Sequence, residues 1–194
     1  LFKDSNQAFS KIRDQLQQGY PEAVRLRRLA QETAWMAQRG QYNVPRLLQR
    51  NDKLTTMLAF SHFAESAMRA AHLCARSYAP YYKWLLHSTE QLPQGAELAA
   101  LLQKSTTLPL EQWETEIIAP VCAIIAKQMK EQGISTQEES YMQVHAEAAA
   151  QQAALLEQKE ALVEKIVRLE FSEFDKVKNE GVRAGCQDDW ETFS

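Results

Sequence analysis

The stretch "MLAFSHFAESAMRAAHLCAR", residues 57–76, decides the fold. It contains no Gly, no Pro and no β-branched residue, and alanine recurs throughout, so it predicts a helix. At 100° per residue, Met57, Phe60, Ala64, Ala67, Met68, Ala71 and Cys74 fall on one side and predict a core stripe. His62, Glu65, Arg69, His72 and Arg76 fall within an opposite arc of roughly 80°. That arc is either the solvated face, with Glu65 and Arg69 an i,i+4 pair, or the lining of a cleft.

The same texture extends outward. Gly and Pro number six each and mostly separate periodic segments. A first helix is predicted to end near Gly19. The next opens at Pro21 and is predicted to stop at Gly40. Pro45 then opens a long tract, with Asn43 a natural N-cap and a break near "QRND". Pro80 opens a short helix, a further helix begins at "GAELAALLQKS", and Pro120 predicts a kink before Gly133. Residues 135–181 contain one glycine, at their end, and no proline. Ser135 with Glu138, or Thr136 with Glu139, offers a capping box there, and the run divides into two helices if it breaks near "LEQKE". No β alternation occurs, so the fold class is all-α, a helical bundle with a long C-terminal helix.

Composition excludes several functions. Net charge is −3, with a basic run at residues 25–50, so there is no clear nucleic-acid signal. Cys74, Cys122 and Cys186 are scattered, which argues against a zinc site and for a reducing, cytoplasmic location. No apolar run is long enough for a bilayer, so no membrane partner is expected. There is no phosphate-cradling glycine loop and no nucleophile elbow, and the histidines lack metal-ligand spacing. No catalytic motif is visible, and no metal site is expected in the chain.

Two helix junctions hold the densest chemistry. At "QRGQYNVPRLLQR", Gln41, Tyr42, Asn43 and Arg46 gather at a predicted helix start, where anions are favoured. At "RSYAPYYKWLLH", Tyr81, Tyr82 and Trp84 cannot share one helix face, so at least one meets a second surface, and Lys83 adds a cation suited to phosphate or carboxylate. With Arg69, these residues (Tyr42, Asn43, Arg46, Tyr81, Tyr82, Lys83, Trp84) are the candidate substrate-binding set. In "CQDDWETF", Asp188 and Asp189 read first as helix caps and second as oxygen ligands for a divalent cation. Cys186 has no histidine nearby in sequence to activate it.

The strings "FKDSNQAFSKIRDQLQQGYPEAVRLRRLAQ", "MAQRGQYNVPRLLQR" and "YAPYYKWLLHS" resemble the helical C-terminal half of an uncharacterised bacterial family with a nucleotidyltransferase-like N-terminal domain. The resemblance covers residues 1–152. From residue 153 onward, "LVEKIVRLEFSEFDKVKNEGVRAGCQDDWETF" resembles the opening of a second uncharacterised family, truncated here. The resemblance implies a helical module that helps form the acceptor-substrate cleft. It also implies a catalytic partner domain with a Gly-Ser motif and metal-binding acids, and magnesium and a nucleotide in a full-length protein. No Gly-Ser followed by spaced aspartates occurs in this chain, so no cofactor is expected in it, and it reads as a fragment. A small-molecule substrate is the partner expected on this reading. The alternative is a non-catalytic interaction module, a homodimer formed through "AEAAAQQAALLEQ".

Overall fold

The computed structural model describes the backbone of residues 7–183, and the side chains of residues 7–164 except residue 15. Among the described residues every regular element is helical. In order these are α1 (Ala8–Gln17), α2 (Glu22–Met36), a π-helical segment π1 (Ala37–Asn43), α3 (Val44–Gln49), α4 (Lys53–Cys74), α5 (Tyr82–Glu90) and α6 (Gly95–Gln103). Then come two short 3₁₀ turns, a second π segment π2 (Glu114–Ile118), α7 (Ala119–Glu131) and α8 (Met142–Arg183). Contacts divide the chain into two units, Leu1–Ala154 and Leu155–Ser194. In the second unit the described structure is α8 alone, with Leu155, Leu162 and Val163 exposed.

The first unit is built around α4, which packs against α2, π1, α3, α5, α6 and α7. The small Ala67, Ala70 and Ala71 are buried and let neighbouring backbones approach. Phe63 is fully buried, and Phe60 meets Trp113 at 4.3 Å between ring centroids. Each such side chain contributes about 1.5–3 kcal/mol when taken out of water. The predicted core stripe is corrected, however. Met57 is exposed and His72 is buried, while Phe63, Ser66, Ala70 and Leu73 join the core. The buried arc is turned by about 70° from the predicted one. α4 is covered from several sides at once, a tertiary fact that periodicity does not carry.

Several punctuation marks act as predicted. Gly19 and Gly133 both have positive φ, 81° and 66°, and follow α1 and α7. The break near "QRND" is real: Asn51 is left-handed, and Asp52 caps α4 by accepting the Thr55 N–H at 3.1 Å. Gly40 is different. It does not stop a helix, because α2 runs through π1 directly into α3. Its role is close approach: a Cβ there would lie 2.8 Å from Cε2 and 2.9 Å from Cγ of Phe63, and closer still to Cδ2. Asn43 accordingly has helical φ and ψ and makes no cap hydrogen bond.

Pro45 and Pro120 each follow a π segment and sit in the first two residues of the next α-helix. In an unbroken α-helix each ring would press on the carbonyl one turn earlier. The wider π turn relieves that clash, so the chain continues without a break. The two π segments also pack against each other.

The capping box predicted at residues 135–139 does not form, because α8 begins later, at Met142. Its cap comes from π1 instead. Gln41 Oε1 accepts the Met142 N–H at 2.8 Å, and Gln41 Nε2 donates to the Ser140 carbonyl at 2.7 Å. Ser135 serves the buried His145, whose Nδ1 lies 2.8 Å from Ser135 Oγ. His145 Nε2 lies 2.7 Å from the Glu139 carbonyl and so must carry the proton it donates. The α8 helix carries on past "LEQKE" to Arg183.

Arg25 is the largest polar side chain in the core, and sequence reading assigned it no role. It is 1% exposed. Its Nε and Nη2 donate to Glu22 at 2.8 and 2.7 Å, and its Nη1 donates to the Leu73 carbonyl at 3.0 Å. Gln132 accepts from Arg25 and donates to the Cys74 carbonyl at 3.0 Å. Arg76 completes the cluster through Glu22 at 2.7 Å. Orphan carbonyls at the C-terminal end of α4 are thereby satisfied by α2 and by the residue after α7.

Candidate functional site

Two neighbouring cavities between the α2–π1–α3 wall and α4 form the candidate site. They share Arg39 and His62. The larger, about 510 Å³, has Leu47, Leu58 and Ala59 as its apolar lining. Around it stand Arg39, Arg46, Arg50 and His62, with Tyr42 and Asn43, and no carboxylate lines it. The smaller, about 330 Å³, is lined by Glu32, Trp35, Glu65, Ser66 and Arg69 beside the shared pair.

The local geometry holds these groups in place. Arg39 stacks on Trp35, with its guanidinium carbon 4.4 Å from the ring centroid, and reaches Ser66 Oγ at 3.4 Å. Arg46 lies 3.6 Å over the Tyr42 ring and also donates to the Tyr42 hydroxyl. No carboxylate pairs with Arg46 or Arg50 among the described residues. Arg69 donates to Glu65 Oε1 from Nε at 3.1 Å and Nη2 at 2.8 Å. Burial pushes the Glu32 carboxyl above its ordinary range, against the lowering effect of the Ser66 hydrogen bond and Arg69. Its Oε2 is buried without a hydrogen-bond partner.

Of the residues singled out from sequence, Tyr42, Asn43 and Arg46 therefore line one cavity and Arg69 the next. Gln41 is committed to capping α8. Because Asn43 is mid-helix, the helix-start argument for anion binding at this junction does not apply; the cationic character comes from the arginine side chains. Pro80 does not open α5, which begins two residues later: Tyr81 precedes it and Tyr82, Lys83 and Trp84 start it, all exposed, with Tyr81 and Tyr82 rings 4.5 Å apart. They line neither cavity. Sequence reading missed Glu32, Trp35, Arg39 and Arg50. Their signal was present in the spacing of Glu32, Trp35 and Arg39, which puts them on one helical face.

Other candidates are chemically quiet. Another cavity, about 880 Å³, lies beside α1, and its Arg13 and Arg76 are ion-paired with Asp14 and Glu22. Cys74 and Cys122 are buried free thiols, Cys74 pushed up to about 12 and Cys122 further, so neither is a thiolate near neutral pH. Among the described residues no group of three His, Cys, Asp or Glu gathers where a metal ion would bind. No helix among them is long and apolar enough to cross a membrane. Cys186, Asp188 and Asp189 lie outside the described residues.

Residues 1–85 match the family described as "Domain of unknown function (DUF4037)". That span carries every residue of both cavities. Residues 160–194 match "Protein of unknown function (DUF4125)". No curated protein and no solved structure matches the chain.

Proposed function

We propose that the chain is the helical substrate-side module of a nucleotidyltransferase-like bacterial protein, and that its groove holds the phosphate of an anionic ligand. The observation that carries this reading is the larger cavity: its lining holds three arginines and a histidine, with no carboxylate. Guanidinium groups pair with phosphate in a bidentate fork, and those of Arg39 and Arg46 are pre-set by their aromatic stacking partners. The described residues do not fit magnesium. On this reading the ion and the chemical step belong to a separate catalytic domain.

Titration calorimetry with inorganic phosphate and with ATP tests the reading. Arg46→Ala/Arg50→Ala should weaken both by about tenfold or more, since a charge-assisted hydrogen bond contributes about 1.5–3 kcal/mol. Unchanged affinity in a folded double variant would end it. A second reading rests on the exposed aromatics of α5: Tyr81, Tyr82 and Trp84 are 64%, 59% and 66% exposed. On that reading the chain is an interaction module, and Tyr82→Ala/Trp84→Ala should abolish a concentration-dependent rise in sedimentation coefficient. A monomer at every concentration argues against self-association through this surface.

A further inference from the structure

We infer that the smaller cavity is a separate subsite for a neutral, hydroxyl-bearing ring, so that the groove as a whole takes a phosphorylated sugar. The second half of that statement rests on the phosphate reading above; the first half stands on the smaller cavity alone. Three observations lead to it.

The first is charge balance. The lining holds two carboxyl groups, Glu32 and Glu65, two guanidinium groups, Arg39 and Arg69, and the His62 imidazole. Arg69 and Glu65 already neutralise each other at 2.8 Å. Neither a bare anion nor a bare cation is strongly favoured, in contrast to the wholly cationic neighbour.

The second is the mixture of donors and acceptors. Guanidinium N–H groups only donate, whereas the carboxyl, the Ser66 hydroxyl and the Gln31 amide accept as well. A hydroxyl both donates and accepts, so it matches this lining where an ammonium or a phosphate would match half of it. The part of Trp35 that Arg39 does not cover adds an apolar surface for the C–H face of a ring.

The third is Glu32 Oε2, a buried polar atom without a protein partner. Native structures rarely leave such an atom unpaired without a reason. Glu32 lines the cavity, so turning its carboxyl would bring this closed-off oxygen to a ligand hydroxyl, which would supply the partner.

The test uses the whole 194-residue chain with inorganic phosphate, ribose 5-phosphate and ribose as probes. Wild type should bind ribose 5-phosphate about tenfold more tightly than inorganic phosphate, the effect of one well-placed hydrogen bond to a charged group. Glu32→Met should remove that difference without weakening phosphate binding, and melt no lower than wild type. Glu32→Gln, which keeps the shape, should narrow the difference. Equal affinities for the two phosphates in wild type, or a difference that survives both substitutions, overturns the inference while leaving phosphate binding in place. If neither phosphate binds, the anion reading fails by itself. Ribose-induced NMR shifts at Trp35 that depend on Glu32 would then support the hydroxyl subsite, and their absence would overturn it.

Discussion

Replacing Gly40 with alanine separates two readings of one residue. As an ordinary helical position, Gly40→Ala should stabilise the protein by about 1 kcal/mol, because alanine is the better helix former. The structure gives the opposite sign. The new methyl carbon would sit 2.8–2.9 Å from two carbons of the Phe63 ring and closer to a third. Phe63 is fully buried and cannot swing aside into solvent. Overpacking of this kind costs roughly 1–3 kcal/mol, and forcing the ring off its rotamer adds about 0.5–1.5 kcal/mol. Set against the propensity gain, the net loss is about 1–3 kcal/mol. For a chain of this size that lowers Tm by roughly 2–10 °C. Thermal melts of the single variant, of Phe63→Leu and of the pair complete the measurement. The pair should be less destabilised than the sum of the singles, since the smaller side chain makes room for the methyl. Because Gly40 lies between Arg39 and Tyr42, the same change should also weaken phosphate binding. A rise in Tm for Gly40→Ala would refute the close-approach argument.

Three further outcomes follow from the polar network. Glu22 is held down to about 2 by its hydrogen bonds to Arg25 and, less strongly, Arg76. Its stabilisation is therefore present above about pH 4.5 and lost as pH falls toward 2; allowing for its partly exposed side chain, this amounts to about 1–2 kcal/mol, and denaturant melts of Glu22→Gln should lack that acid limb. His72 is lowered below 6.5 by burial and by Arg69, and its Nε2 is unpartnered. Below pH 6.5 the unfolded chain takes up a proton that the folded chain refuses, so stability declines on acidification and His72→Leu should flatten the pH 5–7 segment of the profile. Gln41→Ala removes the cap from α8, should cost about 0.5–2 kcal/mol, and should speed hydrogen exchange at the Met142 amide.

Local physics made much of the bundle legible. Alanine-rich periodicity identifies α4, and Gly19, Asn51, Asp52 and Gly133 mark real helix ends because each acts within its own turn. Gly40 looked like the same signal. Its true reason, the Phe63 ring, lies more than twenty residues along the chain. Gln41 similarly reads as a junction residue but caps a helix 101 residues away. Arg25 stands in a basic run that resembles a solvated face, and only the assembled ends of α4 and α7 give it a buried task. For the groove, Tyr42, Asn43, Arg46 and Arg69 were visible as polar or aromatic groups at helix junctions and faces. Glu32 and Trp35 share a helical face with Arg39, but a mid-helix carboxyl one turn from an aromatic is unremarkable until a second helix closes over it. The aromatic cluster after Pro80 shows the reverse case: a dense local signal that the fold turns away from both cavities.

The Arg25 cluster also bears on where this molecule can be divided. The span that matches the first family ends at residue 85, yet Gln132 and Trp113 lie beyond it. A piece cut at that boundary would strip Gln132 from the Arg25 guanidinium, leave the Cys74 carbonyl without its donor, and uncover the Phe60 ring. A recognisable stretch of sequence is thus not a self-supporting object. Both walls of the groove fall inside the first 85 residues, while Gln132, which braces the Arg25 guanidinium against the end of α4, arrives nearly fifty residues later, so the site can be recognised early in the chain but draws part of its support from beyond α7.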